Sequence, residues 1–234
     1  MEQLVFELAV PEPPGFGNFL PGRNAELVAI LPSFAAGAQD ETGILLWGAA
    51  AAGKSHLLAA TLAHAQALGH AAQLYAHPAE FDAAAAVAPD TLVAIDRIDE
   101  ADALAAGRMF TLYNALKATH GRLIAAARAP LTALPLREDL RTRLGWGLVY
   151  EVVPLADADK AAALTLYAHE RGFTLSGDVI EYLLRHGRRD MRSLLATLAA
   201  LDRRSLAAKR PITVPLLKQW LQRELEWERP ARNA

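Results

Sequence analysis

The chain has 234 residues, of which 53% are hydrophobic and 21% charged, with a formal net charge of −2. That balance supports a sizeable buried core and excludes a disordered or fibrous protein. The absence of cysteine excludes a disulfide framework, a Cys-ligated zinc and a thiol nucleophile.

Residues 1–15 form an apolar–acidic leader ending in Pro11, Pro13, Pro14 and Gly15, with Gly17 just beyond. Those prolines deny it a continuous helix into the rest of the chain, so the expectation is an N-terminal arm. Its first residues carry acids where a signal peptide carries lysines, and no apolar run approaches the roughly 20 residues a membrane span needs. A cytoplasmic protein with no membrane contact is expected.

Over residues 16–155, short apolar runs at 43–48, 71–77, 91–96, 122–127 and 147–153 alternate with helix-like stretches at 55–68, 101–120 and 136–144. Buried strands separated by helices predict an α/β domain with a five-stranded, mainly parallel sheet covered on both faces. After Pro154 the alternation stops. Stretches 156–172, 176–187, 189–209 and 214–227 all read as helices, with Asp157, Ser176 and Asp190 as caps or first-turn acids and Gly172 and Gly187 as stops. Residues 156–234 are therefore expected to form a small all-helical domain. They carry a net charge of +4 against −6 for residues 1–155, too modest a surplus to mark a nucleic-acid protein.

The chemistry concentrates at Gly48-Ala49-Ala50-Ala51-Ala52-Gly53-Lys54-Ser55, a complete G-x-x-x-x-G-K-[ST] motif between a predicted strand and a predicted helix. Its glycines let the backbone curl so that amides face inward and cradle phosphate at a helix N-terminus. Lys54 then reaches the β- and γ-phosphates, and the Ser55 hydroxyl is placed to ligate Mg2+. Ala51 and Ala52 within the loop and His56 after it are further candidate nucleotide contacts. A turn that merely caps the helix would explain the glycines but not the Lys54-Ser55 pair. Asp96 ends the apolar run 92–95 and so emerges at the carboxyl edge of the sheet, where it can hold the metal's water shell. The next residue, where such ATPases often carry a second acid, is Arg97, and Asp99 and Glu100 read as off register. This composition favours binding a nucleotide over hydrolysing it.

Arginines neutralise charge on a transferred phosphoryl group. Arg141 and Arg143 sit about 200° apart on the predicted helix 136–144, so at most one faces a given site; Glu138 and Asp139 are the alternative partners of both. Gly187 should end a helix after Arg185 and leave Arg188, Arg189 and Arg192 together on the next.

The P-loop followed by His56-Leu57-Leu58, the segments Leu112–Leu116, Asp139–Gly147 and Arg189–Arg192, and the stretch Phe16–Asn24 resemble the AAA+ core of the bacterial replication initiator DnaA. The resemblance runs over about residues 16–226 and includes neither the initiator's DNA-reading helix-turn-helix domain nor its N-terminal oligomerisation domain. A core of this kind behind a short arm is similar to the Hda family of DnaA-related regulatory inactivators. Within that family, Gln3, Leu4, Phe6 and Leu8 resemble the peptide that binds the DNA polymerase sliding clamp.

The resemblance implies an ADP- or ATP-bound, Mg2+-dependent regulator. With the clamp loaded on DNA, and touching DNA only through it, such a regulator stimulates DnaA to hydrolyse its ATP and prevents re-initiation. It implies Gly48, Gly53, Lys54, Ser55 and Asp96 as phosphate and metal contacts, Arg189 as the sensor 2 residue and Arg143 as an arginine finger acting in trans; self-association is left open. Two departures stand out: Arg97 replaces the second acid, and Ala125-Ala126-Ala127-Arg128 stands where a polar sensor 1 residue is usual. Both point to weak or absent ATPase activity of its own. The rival readings are a self-contained DnaA-like ATPase, a helicase loader of the DnaC type, and an interaction module with a vestigial P-loop.

Overall fold

The computed structural model describes residues 13–81, 88–208 and 210–227, in two compact units that meet in sequence between Leu155 and Ala156. In the first unit, β1 (Gly43–Trp47), β2 (Ala72–Tyr75), β3 (Leu92–Ile95), β4 (Arg122–Ala127) and β5 (Leu148–Glu151) form one sheet in the order β2-β3-β4-β1-β5. Every pairing is parallel, with Ile44 opposite Ile124 and Leu148, and Ala94 opposite Ile124. The expected five strands are all present.

Alternate strand residues serve opposite faces. Leu45, Val93, Leu123 and Ala125 pack with Met109, Leu112, Tyr113 and Leu116 of α3 (Ala103–Ala118) and with Leu140 and Leu144 of α4 (Glu138–Gly145). Ile44, Leu46, Ala94, Ile124 and Ala126 pack instead with Leu27, Leu31 and Phe34 of α1 (Ala25–Ala35) and with Leu57, Leu58 and Leu62 of α2 (Lys54–Ala67). All six residues of β4 are buried, as a central strand covered on both faces must be.

α1 has no counterpart among the sequence expectations. It is short and carries Pro32 in its interior, which removes one i→i−4 bond and masks the helical pattern. Tertiary burial supports it nevertheless, since Leu31, Phe34 and Ala35 are fully enclosed.

The second unit consists of α5 (Asp157–Glu170), α6 (Gly177–His186), α7 (Met191–Ala208) and α8 (Val214–Trp227). Its own core contains Leu164, Val179, Leu183, Leu194, Leu198, Leu201, Ile212 and Leu217. Asp190 accepts the Ser193 amide at 2.8 Å and caps α7, while Gly172, at φ +79°, supplies the left-handed residue that ends α5. α7 begins at Met191, so Arg188 and Arg189 lie in the turn before it and only Arg192 of the three is helical. The expectation that they share a helix is corrected: the Asp190 cap sets a later start.

Candidate nucleotide-binding site

The loop after β1 leaves the sheet where the strand order reverses, with β4 on one side and β5 on the other, the switch point at which open α/β sheets bind ligands. The Gly48 amide donates to Ala127 O at 3.3 Å. Gly48 adopts φ +150°, and a Cβ there would lie 2.5 Å from Val152 O; Gly53 adopts φ +102°, with Phe19 Cε2 2.7 Å from where its Cβ would be. Both positions thus need glycine for conformation and for space. Ala51 is left-handed as well, at φ +59°, which completes the curl that delivers the chain into α2 at Lys54.

The Lys54 ammonium is folded back into this curl, donating to Gly48 O and Ala49 O at 2.7 Å each. Burial lowers its pKa below the ordinary value; Asp96 and Asp99 pull in the opposite direction, and Arg128 adds to the lowering. The Ser55 hydroxyl donates to Asp96 Oδ2 at 2.5 Å, and Asp96 Oδ1 accepts the Arg97 amide at 2.8 Å. A hydroxyl and a carboxylate side by side are hard oxygen donors of the type that Mg2+ takes, so the residues fit that ion. Among the described residues no group of three or more His, Asp or Glu could hold a metal unaided. Mg2+ here would draw its other ligands from phosphate and water, and once bound would neutralise phosphate charge.

Lys54, Ser55, Asp96, Asp99 and Arg128 line a cleft of about 350 Å³. Asp99 corrects the sequence expectation that it is off register. Arg97 is left-handed (φ +53°) and starts the 3-10 turn Ile98–Glu100, which brings Asp99 back to the cleft. Asp99 Oδ1 there accepts the Arg128 amide at 3.1 Å. Arg97 itself donates Nε and Nη2 to Ala76 O at 3.0 and 2.8 Å. Glu100 pairs beside the cleft with Arg128 at 2.7 Å and Arg97 at 3.9 Å, and the His77 ring nitrogen lies 3.4 Å from it.

His56 packs against the N-terminal segment, its Nε2 3.0 Å from Gly15 O and its ring 5.4 Å from that of Phe19, which also abuts Gly53. Phe16 meets His64 further along α2, at 5.7 Å.

Arg143 belongs to a different surface. α4 packs on the sheet face opposite α2. The Arg143 guanidinium lies 4.2 Å from the ring centre of Trp146 and 5.6 Å from that of Phe110. Asp139, its alternative partner in the sequence reading, pairs instead with Arg137 at 2.7 Å. Trp146 is 55% exposed, so this stack borders an open groove. Arg189 lies in the helical unit. Gln3, Leu4, Phe6 and Leu8 fall outside the described residues.

Residues 157–221 match the family model described as Hda, lid domain. Domain III of the Thermotoga maritima replication initiation protein DnaA is similar over 89% of this chain and 95% of that one, at 14% identity and a TM-score of 0.67. A DnaA structure bound to AMPPCP and single-stranded DNA is similar over 81% of this chain and 64% of that one, at 18% identity and a TM-score of 0.66. A Thermotoga maritima RuvB variant matches over 90% and 72%, at 14% identity and a TM-score of 0.67. The chain thus spans about two thirds of the longer initiator structures. At these identities the solved structures speak for the fold, which is AAA+: a P-loop α/β domain followed by a helical lid.

Proposed function

We propose that this Hda-like, DnaA-related chain is a nucleotide-binding regulator that acts on hydrolysis by a partner. It binds ADP or ATP through Gly48, Ala51, Ala52, Gly53, Lys54 and Ser55, with Ser55 and Asp96 serving Mg2+, His56 beside the nucleotide and Arg189 sensing it from the lid. Gln3, Leu4, Phe6 and Leu8 dock the DNA-loaded sliding clamp, which is its only route to DNA. Arg143 enters the nucleotide site of DnaA and stimulates hydrolysis there, so preventing re-initiation.

The observation that carries this reading is the match of the helical unit to the Hda lid model behind a complete P-loop domain. The surface of α4 supports the last step. Its arginine is stacked on aromatic rings and not joined to Asp139, and its helix covers the sheet face opposite the one that packs α2. An arginine supplied in trans is worth about 10³–10⁵ in rate.

One observation favours the self-contained ATPase reading: Asp99 restores a second carboxylate to the cleft. That carboxylate is engaged with the Arg128 amide, which weighs against its activating water.

The test combines purified chain, ADP, clamp loaded on DNA and DnaA carrying labelled ATP. Faster conversion of the DnaA-bound ATP, with little turnover by the chain alone, is the expected result. Brisk hydrolysis by the chain alone, with no effect on DnaA, would favour the self-contained enzyme.

A further inference from the structure

α4 carries Arg143 against an indole whose own position is fixed by the backbone around it. Trp146 follows the last residue of α4, and its amide donates to Arg143 O at 3.2 Å. The two residues stand three apart at the helix end and so share one face. The chain beyond is pinned to the sheet, because a Cβ at Gly147 would collide with Gly43 O of β1. On the other side, a Cβ at Gly145 would lie 3.1 Å from Leu131 Cδ2. Close approach at both glycines holds the Trp146 backbone against the domain while its ring stays 55% exposed.

An indole so exposed adds little to the core, and what it touches is charge. The Arg143 guanidinium lies 4.2 Å from the ring centre and Lys117 Nζ 4.8 Å from it. Phe110 gives Arg143 a second ring at 5.6 Å. Carboxylates are at hand on the same helix, yet Asp139 pairs with Arg137 at 2.7 Å. Among the described residues the Arg143 guanidinium makes no hydrogen bond or ion pair. The mode of holding has a chemical consequence. A carboxylate binds arginine through its N–H edge and occupies the donors that a phosphate would need. An aromatic face binds the flat of the guanidinium and leaves those five donors free. It also restricts a side chain rich in rotamers, so less ordering remains when the arginine meets an anion.

We propose that Trp146 is the positioning residue of Arg143. It holds the guanidinium by its face, aimed in advance and with its donors free, for the phosphate oxygens of a nucleotide held by the partner. Trp146 itself touches no reacting atom and acts through Arg143. The inference rests on the trans reading of Arg143 and adds to it what keeps that arginine ready.

The experiment follows hydrolysis of DnaA-bound ATP, with clamp-loaded DNA and rising concentrations of the full chain, for wild type, Trp146→Leu, Trp146→Phe and Arg143→Ala. Loss of a cation–π contact corresponds to about two- to thirtyfold in rate. Trp146→Leu should lower the maximal rate by that factor while the half-saturating concentration stays near wild type, the pattern of an interaction made only in the transition state. Trp146→Phe keeps an aromatic face and should recover most of the rate, which it could not do for mere structural damage. Independently of turnover, Arg143→Ala should alter the indole emission that Trp146→Phe removes, and an emission unmoved by that change overturns the contact. A maximal rate unchanged in Trp146→Leu, or no better in Trp146→Phe than in Trp146→Leu, with Arg143→Ala still abolishing stimulation, overturns this inference and leaves the trans reading standing. Full stimulation by Arg143→Ala overturns both.

Discussion

Lys54 is a buried cation whose present partners are two carbonyls of its own loop. Its pKa lies below the ordinary 10.5 because burial disfavours the charge. Between the lowered value and 10.5 the unfolded chain keeps a proton that the folded chain has lost, so in that window Lys54 makes stability rise with pH. Bound phosphate works the other way, since it holds the ammonium charged. Nucleotide affinity should fall as pH rises through the lowered value, and Lys54→Met should lose both that dependence and about 1.5–3 kcal/mol or more of binding. Calorimetric titration with ADP over an alkaline pH series checks this, and a flat affinity would refute it. Lys54, Ser55 and Asp96 are legible in the sequence because the P-loop is a local chain motif and a strand-end acid needs only a strand. Asp99 is not. Its entry into the cleft depends on a left-handed Arg97 and a 3-10 turn, which no spacing rule supplies for a residue of that type.

Among the secondary-structure elements, the five strands are legible because each is a short apolar run bounded by turn residues, and the four helices of the second unit because their caps and stops are explicit. α1 is hidden by Pro32 and is held in place by a residue from elsewhere in the chain. Arg122, at the start of β4 and only 3% exposed, donates to Phe34 O, Ala35 O and Asp90 O at 2.9, 2.6 and 2.9 Å. It is a cation at the C-terminal end of α1, where it satisfies carbonyls the helix leaves open. Gly37, at φ +72°, makes room for it, because a Cβ there would lie 3.1 Å from Arg122 Nη1. Arg122→Met should cost about 1.5–3 kcal/mol of stability, seen as a lower denaturant midpoint with an unchanged slope. ADP binding should persist in the variant, since Arg122 lies at the amino end of β4 and the cleft at its carboxyl end. An unchanged midpoint would mean that other contacts hold α1.

For the molecule as a whole, the α/β unit carries two cation-bearing features on separate surfaces. One is the P-loop cleft at the carboxyl edge of the sheet; the other is the Arg143–Trp146 stack beside α4. Helix geometry alone leaves the two arginines of α4 equivalent, and the resemblance singles out Arg143. In the structure Arg143 lies against Trp146 and Phe110 beside an exposed groove. In the function proposed above, this arginine serves a nucleotide held by another protein. The decisive quantity is the rate at which DnaA-bound ATP is hydrolysed with clamp-loaded DNA and, in turn, wild type, Arg143→Ala and Arg141→Ala. Arg143→Ala is expected to keep ADP and the clamp but lose stimulation by about 10³ or more, while Arg141→Ala stays close to wild type. Full stimulation by a correctly folded Arg143→Ala protein would contradict the trans mechanism.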